Sequence, residues 1–327
     1  MAIVKPRLGF LGPVTALAYS SCGRLILAGC GPCLRSYDVA TGRLLVEVAV
    51  LPRGVVHGLV VSPDGALVVA YGHKRAVIVT VAGLHGGDGT APHVWDVCSL
   101  RELVVGVAWW EHGGTALRLV LGLAHARVAH ITVELPPGDA AAAVTTTSTV
   151  RCHTRSLLYC MAMRQDGDAL RVASGSVTSD ILVWDGAVDG RVLFRLRGHH
   201  VVVYKLAWSP AGDRLLSAGD DRSLRMWGIP GDTPSETADL APLWTTWGHR
   251  SRLWDCGFMP ASETVMSTAE DATLRLWDND GNLVATCAGH RGKHTWTCAV
   301  APDGTTAVSG GGDGAIHVWD VAVELGR

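Results

Sequence analysis

Histidine, serine, aspartate and tryptophan recur together three times in the C-terminal part of the chain, and the first three are the parts of a hydrolytic triad. A hydroxyl nucleophile, an imidazole base and an orienting carboxylate could together carry out acyl transfer. The three sets are His199, Ser217, Asp221 and Trp227, then His249, Ser267, Asp271 and Trp277, then His290, Ser309, Asp313 and Trp319. One triad suffices for an enzyme, whereas three copies at regular spacing indicate structure, and no G-x-S-x-G elbow is present.

Within each set the aspartate lies six residues before the tryptophan. Histidine, serine and the indole N–H can each donate or relay a hydrogen bond, so such a set can bury its polar groups in pairs. We therefore predict a structural role for these sets, no catalytic residue, and no enzymatic activity of the chain itself.

Metal ligation is the other chemistry that the residue types suggest. Cys30-Gly31-Pro32-Cys33 has the two-residue gap of a zinc knuckle, but no second pair follows at metal-site spacing. The histidines, among them His125, His130 and the neighbours His199 and His200, form no HExxH or comparable ligand set. The sequence predicts a Pro-containing turn at the cysteines and no metal site.

Seven similar segments must position these residues. Each contains an apolar strand, a tight turn, a second strand that ends in small residues, and a third strand that often closes on Trp-Asp. The turns centre on Gly23, Gly65, Gly113, Gly167, Gly212, Ser262 and Gly304, spaced by 42 to 54 residues. The third strands close at Tyr37-Asp38, Val79-Thr80, His130-Ile131, Trp184-Asp185, Trp227-Gly228, Trp277-Asp278 and Trp319-Asp320. This pattern resembles the WD-repeat family, whose blades are about 40 to 45 residues long. The resemblance implies that each of the three His-Ser-Asp-Trp sets forms a buried structural tetrad.

The resemblance covers nearly the whole chain and predicts an all-β protein, a single seven-bladed WD-repeat β-propeller over residues 1–327. We expect blades that start near residues 12, 54, 102, 154, 199, 249 and 290. The segment from Ile3 to Lys5 is expected to close the ring by pairing with the strand that ends at Trp319. Residues 83–92, 136–148 and 230–242 are expected to be surface loops, because their composition is polar or simple.

Composition limits the class of protein. The chain has 327 residues, 48% of them hydrophobic and 18% charged, with a formal net charge of -2. It contains no apolar run long enough to span a membrane and no secretory signal, and its nine cysteines are irregularly spaced, which fits a reducing compartment. We therefore expect a cytoplasmic protein with no membrane partner and no small-molecule substrate.

The fourth segment departs from the repeat. Six residues before Trp184 stands Thr178, so the turn reads Val177-Thr178-Ser179-Asp180 in SGSVTSDILVWD. Other irregular stretches are LGPVTALAYSSCGRLILAGCGPCLRSYDVATGRLL, YGHKRAVIVTV, WGHRSRLWDCGF and AGHRGKHTWTCAVAPDGTTAVSGGGDGAIHVWD. The last of these has eleven residues from His290 to Ala301, against ten from His199 to Ser209, which predicts a bulge between Arg291 and His294.

Together these stretches resemble the WD-repeat subunits that assist ribose methylation of the tRNA wobble nucleotide. The resemblance implies a non-catalytic subunit that binds an FtsJ-type methyltransferase and positions tRNA, while that enzyme binds S-adenosylmethionine. This chain itself has no G-x-G-x-x-G in a βαβ unit, so we expect it to bind no cofactor. Members typically carry further propellers, so we expect either a piece of a longer protein or a reduced one. The alternative is a general WD-repeat interaction scaffold or adaptor unrelated to tRNA.

The positions of the basic residues along the sequence indicate where a partner would bind. Loops before the first strand and between the second and third strands of a blade emerge on one face of a propeller. On that face the sequence places Arg250, Arg252, Arg291, Lys293, Lys74, Arg75, Arg53, Arg155 and Arg222. We predict that these residues form the face that binds the partner enzyme or tRNA, through phosphates or carboxylates. Few aromatic residues lie in those loops, so direct reading of bases is not expected.

Overall fold

The computed structural model describes residues 2–4, 12–86, 91–111, 116–136, 142–152, 154, 156–260 and 264–324. These residues form seven antiparallel sheets, one for each blade of a β-propeller, so the predicted fold class is confirmed. In the part of the chain that is described, no helix is long and apolar enough to cross a membrane. A short 3₁₀ turn at Ala82–Leu84 and α1 at Val321–Glu324 are the helical elements among those residues.

The strands run blade by blade in chain order, after an N-terminal strand β1 (Ala2–Val4). Blade 1 consists of β2 (Val14–Tyr19), β3 (Leu25–Cys30), β4 (Cys33–Asp38) and β5 (Leu44–Ala49). Blade 2 consists of β6 (Gly58–Val61), β7 (Leu67–Gly72), β8 (Arg75–Thr80) and β9 (Val94–Ser99). Blade 3 consists of β10 (Val104–Glu111), β11 (Ala116–Leu123), β12 (Arg127–Glu134) and β13 (Ala143–Arg151). Blade 4 consists of β14 (Leu158–Asp166), β15 (Ala169–Ser176), β16 (Ile181–Asp185) and β17 (Val192–Leu196), with β21 (Ala238–Leu240) added at its outer edge. Blade 5 consists of β18 (Val203–Trp208), β19 (Arg214–Gly219), β20 (Ser223–Gly228) and β22 (Trp244–Trp247). Blade 6 consists of β23 (Leu253–Phe258), β24 (Val265–Ala269), β25 (Thr273–Trp277) and β26 (Leu283–Ala288), and blade 7 consists of β27 (Thr295–Val300), β28 (Thr306–Gly311) and β29 (Ile316–Asp320) with β1.

Tight turns join the first and second strands of the blades. Gly23 and Gly212 lie there with φ of +71° and +80°, a conformation that a side chain disfavours and glycine adopts freely. Gly113 and Ser262, predicted at the same position, lie outside the described residues. In these two turns the left-handed backbone therefore explains why the sequence has glycine at the predicted position.

The last blade is completed by the N-terminal strand. β1 pairs antiparallel with β29, with Ala2 opposite Val318 and Val4 opposite Ile316. Lys5, the end of the predicted closing segment, lies outside the described residues. One sheet thus joins residues from both ends of the described chain.

Two segments that the sequence placed in surface loops form strands instead. Residues 143–151 are the outer strand of blade 3, paired with β12, which itself continues to Glu134 beyond its predicted end. The segment AVTTTSTVR was predicted to be a loop because of its simple composition, but most of its residues are β-branched, and such residues favour strands.

The second segment is β21, within the predicted loop 230–242. It pairs in parallel with β17 and so covers the outer edge of blade 4. The guanidinium groups of Arg171 and Arg191 donate to the carbonyls of Pro230 and Pro234, at 2.8 and 2.9 Å, and fasten this segment to blade 4. Because these contacts come from a neighbouring blade, the segment's own composition gave no sign of them.

Candidate partner-binding face

The three His-Ser-Asp-Trp sets form buried hydrogen-bonded networks. In blade 5 the Trp227 indole donates to Ser217 Oγ at 2.9 Å, Ser217 Oγ lies 2.7 Å from His199 Nε2, and His199 Nδ1 lies 2.9 Å from Asp221 Oδ2. Blades 6 and 7 repeat these contacts with distances of 2.8 to 3.1 Å. An indole only donates and a carboxylate only accepts, so the serine proton points to Nε2 and the imidazole proton sits on Nδ1.

Burial and pairing set the protonation states in these networks. Burial lowers the pKa of His199 and His249 below the ordinary 6.5, so both imidazoles are neutral at pH 7. Burial alone would raise the pKa of Asp221, but the hydrogen bond and the proximity of His199 hold that pKa well below its usual range. Ser217 has no exposed surface, so a substrate cannot reach its hydroxyl.

Blade 4 contains half of a tetrad and a different turn. The Trp184 indole donates to Ser174 Oγ at 3.1 Å, as in the complete sets. In place of the aspartate, Thr178 places its Oγ1 2.9 Å from Ser176 Oγ, which also accepts the Thr178 N–H. Ser179 follows with φ of +75°, a left-handed position that Arg222 and Ala272 hold in blades 5 and 6. The turn keeps its backbone shape and loses its charge.

The predicted basic residues lie in or beside the loops before the first strands and between the second and third strands. The sheet order puts these loops on one face, which we call the rim face. Six predicted residues have exposed side chains there: Arg53, Lys74, Arg222, Arg250, Arg291 and Lys293. Arg155 lies outside the described residues.

The other two predicted residues are engaged in ion pairs. Arg252 Nε lies 3.2 Å from both Asp220 Oδ1 and Glu270 Oε2. Arg75 pairs with Asp96 of the adjacent outer strand at 2.6 Å. Acidic side chains on the same face therefore neutralise these two charges, a detail that loop assignment by register could not give.

Aromatic side chains line the inner border of the rim face. Tyr159, Tyr204, Trp254 and Trp296 are each the second residue of the first strand in blades 4 to 7. At this position the pairing with the second strand shifts register, so these residues sit at β-bulges. We call these four residues the aromatic arc.

Three rings of the arc form a chain of contacts, from Tyr159 through Tyr204 to Trp254. Tyr204 lies 5.0 Å from Tyr159 and 4.5 Å from Trp254 between ring centroids, and the Arg252 guanidinium lies 5.9 Å from the Trp254 ring. Tyr159 is 48% exposed. The prediction that few aromatic residues lie in the basic loops did not cover the arc, because the arc lies on strands beside those loops. The signal was present in the sequence as an aromatic residue five or six positions after each tetrad histidine.

The arc surrounds one end of a central cavity of about 920 Å³. Within it Lys205 Nζ lies 3.0 Å from Asp255 Oδ1, and Asp255 Oδ2 accepts hydrogen bonds from Thr297 Oγ1 and the Cys298 N–H, both at 3.1 Å. Asp255 raises the pKa of Lys205. This bridge across blades 5, 6 and 7 was missed by sequence analysis, since it belongs to no repeated motif.

The extra residue in blade 7 lies in a turn before the strand. Arg291 and Gly292 have φ of +45° and +74°, and the Lys293 N–H donates to the His290 carbonyl at 2.8 Å. The extra residue thus lies within the predicted interval from Arg291 to His294, but it forms a turn there and not a β-bulge. The register shift between Thr295 and Thr297 recurs in other blades and does not come from the extra residue. The inserted residue projects Arg291 and Lys293 from the rim face.

The predicted Pro-containing turn lies between Cys30 and Cys33. Cys30 and Cys33 face each other across the turn between β3 and β4, and the described cysteine side chains are free thiols.

Known proteins resemble this chain in part. Residues 190–228, 240–278 and 281–320 match the family "WD domain, G-beta repeat", and these segments contain the three complete tetrads. The tRNA (34-2'-O)-methyltransferase regulator WDR6 of Bos taurus is 25% identical over 236 residues, and that of Mus musculus is 26% identical over 244, each alignment covering 66% of this chain and 20% of the relative. The periodic tryptophan protein 2 homolog of Neurospora crassa is 44% identical over 71 residues, 21% of this chain and 8% of the relative. The chain spans a fifth or less of these relatives' lengths. It is a seven-bladed β-propeller that resembles the WD-repeat family and WDR6.

Proposed function

We propose that this protein is a non-catalytic WD-repeat subunit that binds an FtsJ-type methyltransferase and positions tRNA for ribose 2′-O-methylation of the wobble nucleotide. The similarity to the tRNA (34-2'-O)-methyltransferase regulators over two-thirds of the chain carries this proposal. In this scheme the partner enzyme binds S-adenosylmethionine and performs the transfer. The complex works in the cytoplasm and without a membrane.

The rim face supports the proposal through its charge. Arg250, Arg291 and Lys293 are exposed on two adjacent blades. Guanidinium and ammonium groups bind phosphate oxygens and carboxylates, and such contacts orient a partner without reading its sequence. Positioning of the reacting groups by itself lowers a barrier by several kcal/mol, roughly 7 to 11 in the best intramolecular cases, so a subunit with no reactive group can be indispensable.

The aromatic arc adds a means of holding an unstacked nucleotide. Anticodon loops are single-stranded, and their bases can stack on tyrosine and tryptophan rings. The exposed ring of Tyr159 contacts Tyr204 and so is held in one orientation. Stacking of this kind contributes about 1 to 3 kcal/mol per base and tolerates any base, which suits a subunit that serves several tRNAs.

The decisive experiment is mass spectrometry of ribose methylation in total tRNA from cells with and without this gene. We expect the methyl group to be lost at the wobble nucleotide and retained at neighbouring anticodon-loop positions. Unchanged wobble methylation would contradict the proposal and favour the alternative of a general WD-repeat scaffold.

A matched pair of variants then tests the rim face. Arg250→Glu with Arg291→Glu reverses two exposed charges on this face, and Arg24→Glu with Arg43→Glu does the same on the opposite face. We expect the first pair to weaken binding of the enzyme and tRNA at least tenfold and the second to leave it unchanged. If both variants bound the enzyme and tRNA equally well, the rim face would be removed from the proposal. If binding of the partner did not respond to salt or to added tRNA, the protein would be a scaffold for proteins only.

A further inference from the structure

His317 is a buried titratable residue that the tetrads do not use. It lies in β29, two residues before Trp319, and is 5% exposed. Neither of its ring nitrogens has a hydrogen-bond partner among the described residues. Its nearest polar neighbour is Asp313, whose Oδ2 lies 4.0 Å from His317 Nε2. A buried polar group without a partner is costly, so this imidazole requires an explanation.

Blades 5 and 6 show what normally occupies this place. Arg225 and Arg275 stand two residues before their tryptophans, 3.5 and 4.0 Å from the tetrad aspartates Asp221 and Asp271. Blade 7 replaces this permanent cation with an imidazole, which can bind a metal. The substitution converts a charge partner of the aspartate into a potential ligand beside it.

A second difference leaves the blade 7 aspartate less satisfied. Ser223 and Thr273 donate hydroxyl hydrogen bonds to Asp221 and Asp271 at 2.6 and 2.7 Å. The corresponding residue in blade 7 is Ala315, which offers only its backbone N–H, at 3.1 Å from Asp313 Oδ1. Asp313 therefore keeps acceptor capacity that the other two aspartates have used.

We propose that His290, Asp313 and His317 form a zinc site, with His290 Nδ1, a carboxylate oxygen of Asp313 and His317 Nε2 as ligands. The potential ligand atoms of the three residues lie within 4.8 Å of one another. Two histidines and one carboxylate are a donor set that zinc prefers, and a water molecule completes its tetrahedron.

The distances suit a metal after a small adjustment. Two ligand atoms on a tetrahedral zinc ion with bonds of about 2.0 to 2.1 Å lie about 3.3 Å apart. His290 Nδ1 is 2.9 Å from Asp313 Oδ1, and His317 Nε2 is 4.0 Å from Asp313 Oδ2. Because all the potential ligand atoms lie within 4.8 Å of one another, shifts of up to about 1.5 Å bring them to the spacing that one zinc ion requires. The rings of His290 and His317 already meet edge to face, 4.4 Å apart.

The tetrad supplies the outer support that such a site needs. When zinc takes the place of the proton on His290 Nδ1, the neutral imidazole carries its proton on Nε2. That N–H then donates to Ser309 Oγ, 2.8 Å away, which fixes the ring orientation. The zinc ion would tie the turn that bears Arg291 and Lys293 to β29, independently of any role in tRNA modification.

Metal titration of the purified full chain tests the site. Co²⁺ replaces Zn²⁺ as a spectroscopic probe, and isothermal titration with Zn²⁺ measures stoichiometry. We expect one equivalent of either metal and the visible absorption of four-coordinate Co²⁺, without thiolate charge-transfer bands. His317→Arg restores the residue type of blades 5 and 6, so it should preserve the circular dichroism spectrum and abolish binding.

Two results would overturn the proposal: no binding by the unaltered protein, or one equivalent still bound by a folded His317→Arg variant. His294→Gln is the control for adventitious binding, because His294 is a half-exposed histidine that pairs with Glu270 at 2.9 Å in the same loop region. That variant should bind as the unaltered protein does, and loss of binding there would move the ligand set away from His317 and contradict the assignment.

Discussion

Blades 5 to 7 and blades 2 and 3 build the same four-stranded sheet from different interactions. In blades 5 to 7 a buried tryptophan closes a network with serine, histidine and aspartate. In blades 2 and 3 the equivalent space is filled by aliphatic side chains such as Val79, Leu119 and Leu121, none of them exposed. A propeller blade thus needs a filled interior, and the polar network is one of two ways to fill it.

The two kinds of blade differ in what they specify. The free energy gained by aliphatic packing is proportional to the buried apolar area and does not depend on direction. Apolar side chains of similar volume can therefore replace one another at a modest cost in stability. A hydrogen-bonded network needs each partner at one distance, so removal of one member leaves the others unpaired. We therefore expect blades 5 to 7 to be more sensitive to single substitutions.

The largest contrast should come from the closing residue of the third strand. Trp227→Ala removes a side chain with no exposed surface and should lower the free energy of unfolding by about 4 kcal/mol. Val79→Ala, at the equivalent position of blade 2, should cost about 2 kcal/mol. Urea unfolding of both variants measures this difference, and equal losses would contradict a special role for the tetrad.

The next contrast isolates the serine. Ser267 Oγ bonds both the Trp277 indole and His249, so Ser267→Ala should cost about 3 kcal/mol through two unpaired groups. Ser174 in blade 4 bonds only the Trp184 indole among tetrad partners, and Ser174→Ala should cost about 1 kcal/mol. Thermal unfolding can rank the pair. A smaller loss for Ser267→Ala would show that the network contributes little stability.

Acid should weaken the tetrad blades selectively. His199 and His249 have pKa values lowered by burial, so below pH 6.5 the unfolded chain binds protons that the native chain excludes. Their stabilising contribution is complete above pH 6.5 and falls as the pH drops, by up to about 1.4 kcal/mol per pH unit for each histidine. His249→Gln should flatten the fall measured by urea unfolding between pH 7 and pH 5. An unchanged slope would mean that this histidine is already charged in the native protein.

The smallest effect concerns the difference within the tetrad blades. Ala315→Ser supplies blade 7 with the hydroxyl that Ser223 and Thr273 provide to their aspartates, and should raise the free energy of unfolding by about 0.5 kcal/mol. A loss of stability would indicate that Asp313 has no room for another donor. Calorimetry of the metal-free protein resolves the sign.

Much of this fold could be predicted because the signals are local and repeated. The tetrads could be predicted from the resemblance to WD repeats, since Asp221 and Trp227 lie at fixed positions in a turn and the strand after it. The strand at 238–240 could not be predicted, because its partner Phe194 belongs to another blade. The neutralisation of Arg252 depends likewise on Asp220 and Glu270, which only the folded ring brings together.

In the candidate site, too, some features could be predicted from the sequence and others could not. The exposure of Arg250 and Arg291 was predictable from loop assignment, because it needs only the blade topology. The aromatic arc was missed because each ring lies in a strand, where an aromatic residue normally signals a core position. Only the β-bulge turns Tyr159 outward, and bulges are poorly marked in sequence.

The short pairing of β1 with β29 has a kinetic consequence. Ala2 and Val318 meet only after the residues between them have been synthesised, although the entropic cost of closing so long a loop grows slowly, by about 0.6 kcal/mol for each doubling. Because this pairing is only three residues long, we expect its amides to exchange with solvent faster than those in the interior strands. We then expect unfolding to begin at this junction, where the circle of blades can open into a row of separate sheets.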